Sequence, residues 1–149
     1  MSQSKYIVDQ IVYNSVDLVQ DAFGNYVVQF VLDLNIPDVN TRLAYIFTAN
    51  MLELSRQKFS SNVIEKCLQQ TEPDVQLEMI TEIGKACNIG IMLQDQYANY
   101  VVQRAIALAP ELLQEEMLNN LKPSLEGLKK TQFGKRIFSK LTKQYPTLR

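Results

Sequence analysis

No histidine occurs among the 149 residues of the chain. That excludes a histidine-based catalytic triad and imidazole acid–base chemistry. It also removes the usual partner of cysteine in zinc sites. Only two cysteines are present, Cys67 and Cys87, and they form no C-x-x-C pair. Both read as ordinary buried thiols of a reducing compartment. No apolar run approaches the roughly 18 residues that a membrane-spanning helix needs. The start does not resemble a secretory signal peptide, and Met1-Ser-Gln-Ser reads as a cut edge or a short disordered tip. There is no glycine-rich phosphate loop, so nothing supports an enzyme, a cofactor or a metal site. Glu65 has the chemistry of a general base, but its place in the pattern described below accounts for it better.

What is present is apolar and periodic. Apolar residues make up 46% of the chain, enough to build a core and to argue against wholesale disorder. The formal net charge of −1 argues mildly against nucleic-acid binding. That charge is unevenly spread. Residues 122–149 hold eight Lys/Arg and one acidic residue, against seven basic and fifteen acidic residues in 1–121. The basic end reads first as a solvated terminal helix and second as an attractor of phosphates.

Four segments align without internal gaps: Asp21–Gln29, Gln57–Glu65, Asp95–Gln103 and Thr131–Ser139. Their shared aromatic falls at Phe23, Phe59, Tyr97 and Phe133, at spacings of 36, 38 and 36. An independent marker, Pro37, Pro73, Pro110 and Pro146, recurs at 36, 37 and 36. Proline ends a helix or opens the next at its first turn. Two markers with one period define a repeat.

Within each unit the apolar spacing is helical. Leu18, Leu54, Met92 and Leu128 precede the aromatic by five; Val27/Val28, Val63/Ile64, Val101/Val102 and Ile137/Phe138 follow it by four and five. Such spacing marks a helix stripe facing a core. A further helical stretch lies before each aromatic, over Ile7–Val19, Leu43–Leu54, Leu77–Ile83 with an irregular tail to Leu93, and Leu112–Leu128. Each unit is thus expected to be a helix, a tight connector and a second helix. One pair cannot bury its own apolar face and stacked neighbours can, so the predicted fold is an all-α solenoid. The units fall at about 5–36, 37–72, 73–109 and 110–149. The third has two extra residues around Asn88-Ile-Gly-Ile, read as a longer surface loop or a broken first helix. The four aromatics are expected to pack in the core or between units.

The variable positions carry the chemistry. Two, three and six residues after the aromatic stand Asn25/Tyr26/Gln29, Ser61/Asn62/Glu65, Asn99/Tyr100/Gln103 and Lys135/Arg136/Ser139. The first and third of each set are one turn apart on one helix face. Stacked units repeat that face as a ladder of polar pairs interleaved with flat groups. Single-stranded RNA suits such a ladder, because its exposed bases stack on planar groups and bond polar ones along their edges. Asn/Gln pairs offer donors and acceptors that match uracil. An ionised Glu only accepts, and it matches the adjacent N1–H and N2–H₂ donors of guanine, so Ser61 with Glu65 reads as a guanine site. Lys66 and Arg104 directly follow the reading positions and either contact backbone phosphate or are simply solvated.

The series Asn-Tyr-x-x-Gln, Ser-Asn-x-x-Glu, Asn-Tyr-x-x-Gln resembles the last three base-reading repeats of the Pumilio (PUF) family, in which each repeat reads one base. The resemblance spans about residues 5–145. It implies that Asn25/Gln29 and Asn99/Gln103 read uracil, that Ser61/Glu65 read guanine, and that Tyr26, Asn62 and Tyr100 stack. Because the family binds RNA antiparallel to the protein, it implies recognition of 5′-UGU-3′. Phe133-Gly-Lys-Arg-Ile is similar to the family's C-terminal capping pseudo-repeat. Its Lys135, Arg136 and Ser139 depart from the code, and Arg136 is expected to stack on or neutralise the 5′ end. The chain has fewer repeats than a complete domain and resembles a half-ring, whose N-terminal edge is expected to expose an apolar face.

The resemblance further implies binding to mRNA 3′ untranslated regions in the cytoplasm. It also implies translational repression or mRNA decay through recruited repressor or deadenylase-recruiting proteins, with roughly Gly84–Leu93 as their contact and no membrane partner. The competing reading is a protein-binding α-solenoid of the HEAT or armadillo kind, which fits the helix pairs and near-neutral charge. It gives no reason for the repeated Asn/Tyr/Gln triplet.

Overall fold

Asparagine breaks the first helix of the first two units. The computed structural model describes residues 2–149. Its first helix, α1 (Gln3–Tyr13), ends at Asn14, and α2 (Ser15–Val19) resumes at once. In the second unit α4 (Pro37–Ala49) ends at Asn50 and α5 (Met51–Ser55) follows. The Nδ2 of Asn14 donates to Gln10 O, and that of Asn50 to Ile46 O, both at 2.8 Å. A short amide that bonds the carbonyl four residues back competes with the backbone ladder and interrupts it. In the third unit α7 (Pro73–Gly84) stops at Lys85, whose extended backbone (ψ 141°) leads into α8 (Ala86–Leu93). In the fourth, α10 (Glu111–Leu121) passes through a 3₁₀ turn at Lys122–Ser124 into α11 (Leu125–Leu128).

The third helix of each unit is α3 (Gly24–Asp33), α6 (Ser60–Gln70), α9 (Ala98–Leu108) and α12 (Gln132–Gln144). The expected pair of helices is therefore a triplet, since the first stretch splits in every unit. The two extra residues of the third unit make no loop. They lengthen the short helix to eight residues, against five in α2 and α5, and Ile89 within it is fully buried. The tip expected at Met1–Ser4 is helical from Gln3, with Ser2 Oγ accepting from Lys5 N; Met1 lies outside the described residues.

The outcome is an all-α solenoid, with no strand among the described residues. Its α1, α4, α7 and α10 form one layer, α3, α6 and α9 lie side by side in the other, and the short helices bridge them. A recurring side-chain bond ties each unit to the next. Asn40 Nδ2 donates to Leu32 O at 3.2 Å, and Gln76 and Gln114 Nε2 donate to Leu68 O and Ile106 O at 2.9 Å. Each amide stands 17 residues after its aromatic and satisfies a carbonyl in the last turn of the preceding third helix.

The core follows the helical stripes. Val28, Ile64 and Val102 are fully buried, as are Leu32, Leu68 and Ile106 one turn on. Position in the stack decides the rest. Val63 and Val101 are fully buried between units, whereas the equivalent Val27 is 43% exposed, beside Phe30 and Leu34 on the first unit's outer edge. At the other end the 3₁₀ turn Pro146–Leu148 folds back on α12 and buries Leu148. Among the described residues, no helix is long and apolar enough to cross a membrane.

Cys67 sits in the core, where burial pushes its thiol up to about 12. Cys87 departs from the sequence reading: it lies in the first turn of α8 and is exposed.

Candidate nucleic-acid interface

Capping side chains place the third helices. The Oδ2 of Asp21 accepts from Phe23 N at 2.9 Å and Gly24 N at 2.7 Å, and Asp95 Oδ2 accepts from Tyr97 N and Ala98 N, both at 2.8 Å. Thr131 Oγ1 accepts from Gly134 N at 2.9 Å in the fourth unit. Such caps satisfy orphan N–H groups. The Gly24 and then the Phe23 amides hold the Asp21 carboxyl below the usual carboxylate range. The second unit has Gln57 instead, whose amide reaches Gln20 Oε1 at 3.0 Å.

In the first and third units, the first and third polar positions of the third helix form one hydrogen-bonded chain. Asn25 is 2% exposed, and its Nδ2 donates to Asp21 O at 2.8 Å and Ala22 O at 3.0 Å. Its Oδ1 accepts from Gln29 Nε2 at 2.9 Å. The third unit repeats this bond for bond: Asn99, 1% exposed, donates to Asp95 O at 2.8 Å and Gln96 O at 3.1 Å and accepts from Gln103 Nε2 at 3.0 Å. Each Asn thus has both amide protons committed and offers only acceptor capacity, while the Gln offers its Oε1 and one Nε2 proton. The donor that the Asn/Gln pair offers therefore comes from the Gln, while the Asn contributes acceptor capacity. In the second unit Ser61 Oγ donates to Lys58 O at 3.3 Å.

The flat residues stand beside this chain. Tyr26 is 65% exposed and Tyr100 59%, and Asn62 and Arg136 are exposed too. Between Asn62 and Tyr100, and again between Tyr100 and Arg136, the surface is hollow. One cavity, about 280 Å³, is lined by Ser61 and Glu65 with Asn62, Tyr100, Lys58 and Tyr97. The next, about 260 Å³, is lined by Asn99 and Gln103 with Tyr100, Arg136, Phe133 and Lys140. Each hollow pairs the polar edge groups of one unit with a flat group from that unit and one from the next. Tyr100 is a wall of both.

The two cations singled out in the sequence are engaged across unit boundaries. Lys66 Nζ meets Asp33 Oδ2 at 2.8 Å, and Arg104 Nε meets Glu65 Oε1 at 3.5 Å. Lys66, and then Gln70, hold the Asp33 carboxyl below its ordinary range. Lys140, at the same position of the fourth unit, forms no ion pair among the described residues.

The four aromatics, expected in the core or between units, are not among the fully buried residues, although Phe133 packs against the core. Phe23 is 82% exposed, and Phe59, Tyr97 and Phe133 are half-buried. Phe23, Phe59 and Tyr97 are the N-cap residues of their helices. Tyr97, Phe133 and Lys140 line the hollow of the preceding unit, and Lys58 lines that of its own. The regular aromatic spacing was the available signal for Tyr97 and Phe133, read for packing instead of for the groove. Within the suggested partner segment, Ile89, Met92 and Leu93 are buried and Lys85, Ala86, Cys87 and Ile91 are exposed. No group of three or more Cys, Asp or Glu residues is placed to hold a metal among the described residues.

Fold and groove together define an α-solenoid with one polar pair and one flat group per unit. The sequence model of the Pumilio-family RNA binding repeat matches residues 14–41, 50–83 and 89–122. A Pumilio domain-containing protein of Schizosaccharomyces pombe is 38% identical over 98% of the chain, and Pumilio homolog 11 of Arabidopsis thaliana is 38% identical over 93%. The chain spans 21% and 24% of the length of these relatives. Among solved structures, PUF-8 in complex with PBE-RNA superposes with a TM-score of 0.85 at 29% identity, covering 95% of this chain and 42% of that one. The Puf4 RNA binding domain bound to the HO endonuclease RNA 3′ UTR recognition sequence gives 0.79 at 33%, covering 92% and 45%. The chain belongs to the Pumilio (PUF) family.

Proposed function

We propose that this chain binds single-stranded RNA sequence-specifically and reads 5′-UGU-3′. The observation that carries the reading is the pair of hollows, each floored by one unit's polar pair and walled by flat side chains from two successive units. A base inserted between Asn62 and Tyr100 meets Ser61 and Glu65, and the carboxylate takes the two adjacent donors of guanine. A base between Tyr100 and Arg136 meets Gln103, whose outward Oε1 accepts from uracil N3–H while its free Nε2 proton donates to a uracil oxygen. Gln29 offers the same to the 3′ uracil. Stacking contributes about 1–3 kcal/mol per base.

Solved relatives bound to RNA, one to a 3′ untranslated recognition sequence, support placing the target in such regions of mRNA. Repression or decay of the message in the cytoplasm, with recruited proteins, is the role this reading assigns to the whole protein. The exposed residues Lys85–Cys87 and Ile91 are the proposed protein contact. Amide NMR with short RNAs carrying UGU or UAU, at one salt concentration, tests the reading. Shifts around Ser61–Glu65 with UGU that shrink with UAU are expected. Equal shifts with both reduce the activity to non-specific groove binding.

A further inference from the structure

We propose that Arg104 is a positioning residue for guanine recognition: it supports the Glu65 carboxylate from the adjoining hollow, across the boundary between the second and third units. This inference rests on the reading of Glu65 as the guanine contact. Glu65 lines three hollows: one beside Lys66, Gln69 and Gln70, and two that it shares with Tyr100. Of the shared two, one is the guanine slot with Ser61, Asn62, Tyr97 and Tyr100; the other holds Arg104, Gln103, Lys140 and Gln144. Glu65 and Tyr100 belong to both and form the partition between them. Arg104 lines only the second. Its Nε reaches Glu65 Oε1 at 3.5 Å, so it meets the carboxylate from the second hollow and does not line the slot.

The charge arrangement supports the same role. A carboxylate on a polyanion-binding face is repelled by every phosphate that passes it, and a guanidinium in the adjoining hollow offsets that repulsion without lining the slot. The register makes this pairing particular to the guanine unit. The cation seven residues after the aromatic reaches back one unit in both cases where it forms an ion pair: Lys66 to Asp33, and Arg104 to Glu65. Asp33 is not a reading residue. Only the second unit has a carboxylate at the reading position, Gln29 and Gln103 being neutral. Only there does the backward-reaching cation meet the base-reading group. Arg104 follows Gln103 directly, so the residue that steadies guanine reading sits on the helix that reads the neighbouring uracil.

The test uses the intact protein with RNAs carrying UGU, UAU or UUU, at one salt concentration, in the wild-type and Glu65→Gln backgrounds. Arg104→Met keeps the aliphatic stem and removes the charge. It is expected to lower the preference for UGU over UAU about three- to fivefold, the scale of a half-exposed ion pair, and Arg104→Lys is expected to restore most of it. In the Glu65→Gln background Arg104→Met should leave the preference unchanged. Equal weakening of all three RNAs would make Arg104 a general phosphate contact and overturn the proposal, as would an unaltered preference or an equal loss in both backgrounds. If Glu65→Gln itself leaves UGU preferred to the same degree, the guanine reading fails, and the proposal with it. A preference abolished by Glu65→Gln but untouched by Arg104→Met removes only the positioning role.

Discussion

Gln29 Nε2 donates to Asn25 Oδ1 at 2.9 Å, and Gln103 makes the same bond to Asn99 at 3.0 Å. Each Asn is in turn pinned by two backbone carbonyls. The orientation of a glutamine amide is ordinarily free, since a half-turn about its last torsion exchanges oxygen for nitrogen. Here the exchange would set Gln Oε1 against Asn Oδ1, two acceptors with no proton between them. The helix backbone thus dictates, through Asn, which atoms Gln turns outward.

Removing that constraint should cost selectivity before affinity. Asn25→Ala frees the Gln29 amide to present either face. The RNA with uracil at the 3′ position of UGU should lose its advantage over adenine or cytosine there by about 1–2 kcal/mol, the scale of one mispaired hydrogen bond. Affinity for a non-specific RNA should hardly move. Competition binding with RNAs varied at that one position measures it. An undiminished uracil preference would mean that Gln29 is oriented by the RNA itself.

The same chain can be built into the second unit. Ser61→Asn with Glu65→Gln and Asn62→Tyr gives the second reading helix the side chains of its neighbours. The backbone carbonyls of Gln57 and Lys58, which accept from Ser61 N and Ser61 Oγ, are the register equivalents of those of Asp21 and Ala22 that receive Asn25. The expected outcome is a shift of preference from UGU to UUU, read by the same competition assay. Retained preference for UGU would remove the assigned code.

Much of this was legible in the sequence because it is local and recurs. The aromatic and proline periods announce the units, and helical spacing alone places Val28, Ile64 and Val102 in the core. The reading triplets fall on one helix face by their offsets. What escaped depends on tertiary partners or on competition within a helix. Asn14 and Asn50 look like solvated positions of a continuous helix until their amides are seen to bond the carbonyls four residues back. The staples from Asn40, Gln76 and Gln114 lie in register, yet polar residues on a helix give no hint of the carbonyl they meet in another unit. Arg104 and Glu65 are 39 residues apart and meet only because the units stack.

Acid should loosen the junction of the first two units through Asp33. Lys66 and Gln70 of the second unit hold its carboxyl below the ordinary aspartate range. A group with a lowered folded-state value contributes stability that is complete above its unfolded value and is lost as pH falls through the folded one. Asp33→Asn should therefore narrow the stability difference between neutral pH and the acid side of the aspartate range. Denaturant midpoints at the two pH values test this, and an identical acid loss in the variant would assign it to other carboxylates.

The two cysteines should report on different events. Exposed Cys87 should react with a thiol reagent at mildly alkaline pH. Cys67, buried and with its thiol pushed up to about 12, should stay protected. Mass spectrometry of the labelled chain should show one adduct under native conditions and two in denaturant. Rapid labelling of Cys67 in the native protein would show that the second unit opens readily.

In the proposed reading, Tyr100 is the side chain on which the guanine and the 5′ uracil depend together. It walls the hollow of Ser61 and Glu65 and that of Asn99 and Gln103. A stacking face does not distinguish one base from another, so its loss should lower affinity across sequences and leave their ranking intact. Tyr100→Ala is expected to cost about 1–3 kcal/mol against UGU, UAU and UUU alike, whereas Tyr26→Ala, at the edge of the stack, should cost less. Tyr100 is 59% exposed and stands outside the core, so the melting temperature should stay close to that of the parent. Affinity that survives Tyr100→Ala would disprove stacking at this position, and a loss confined to UGU would make the tyrosine part of guanine recognition instead.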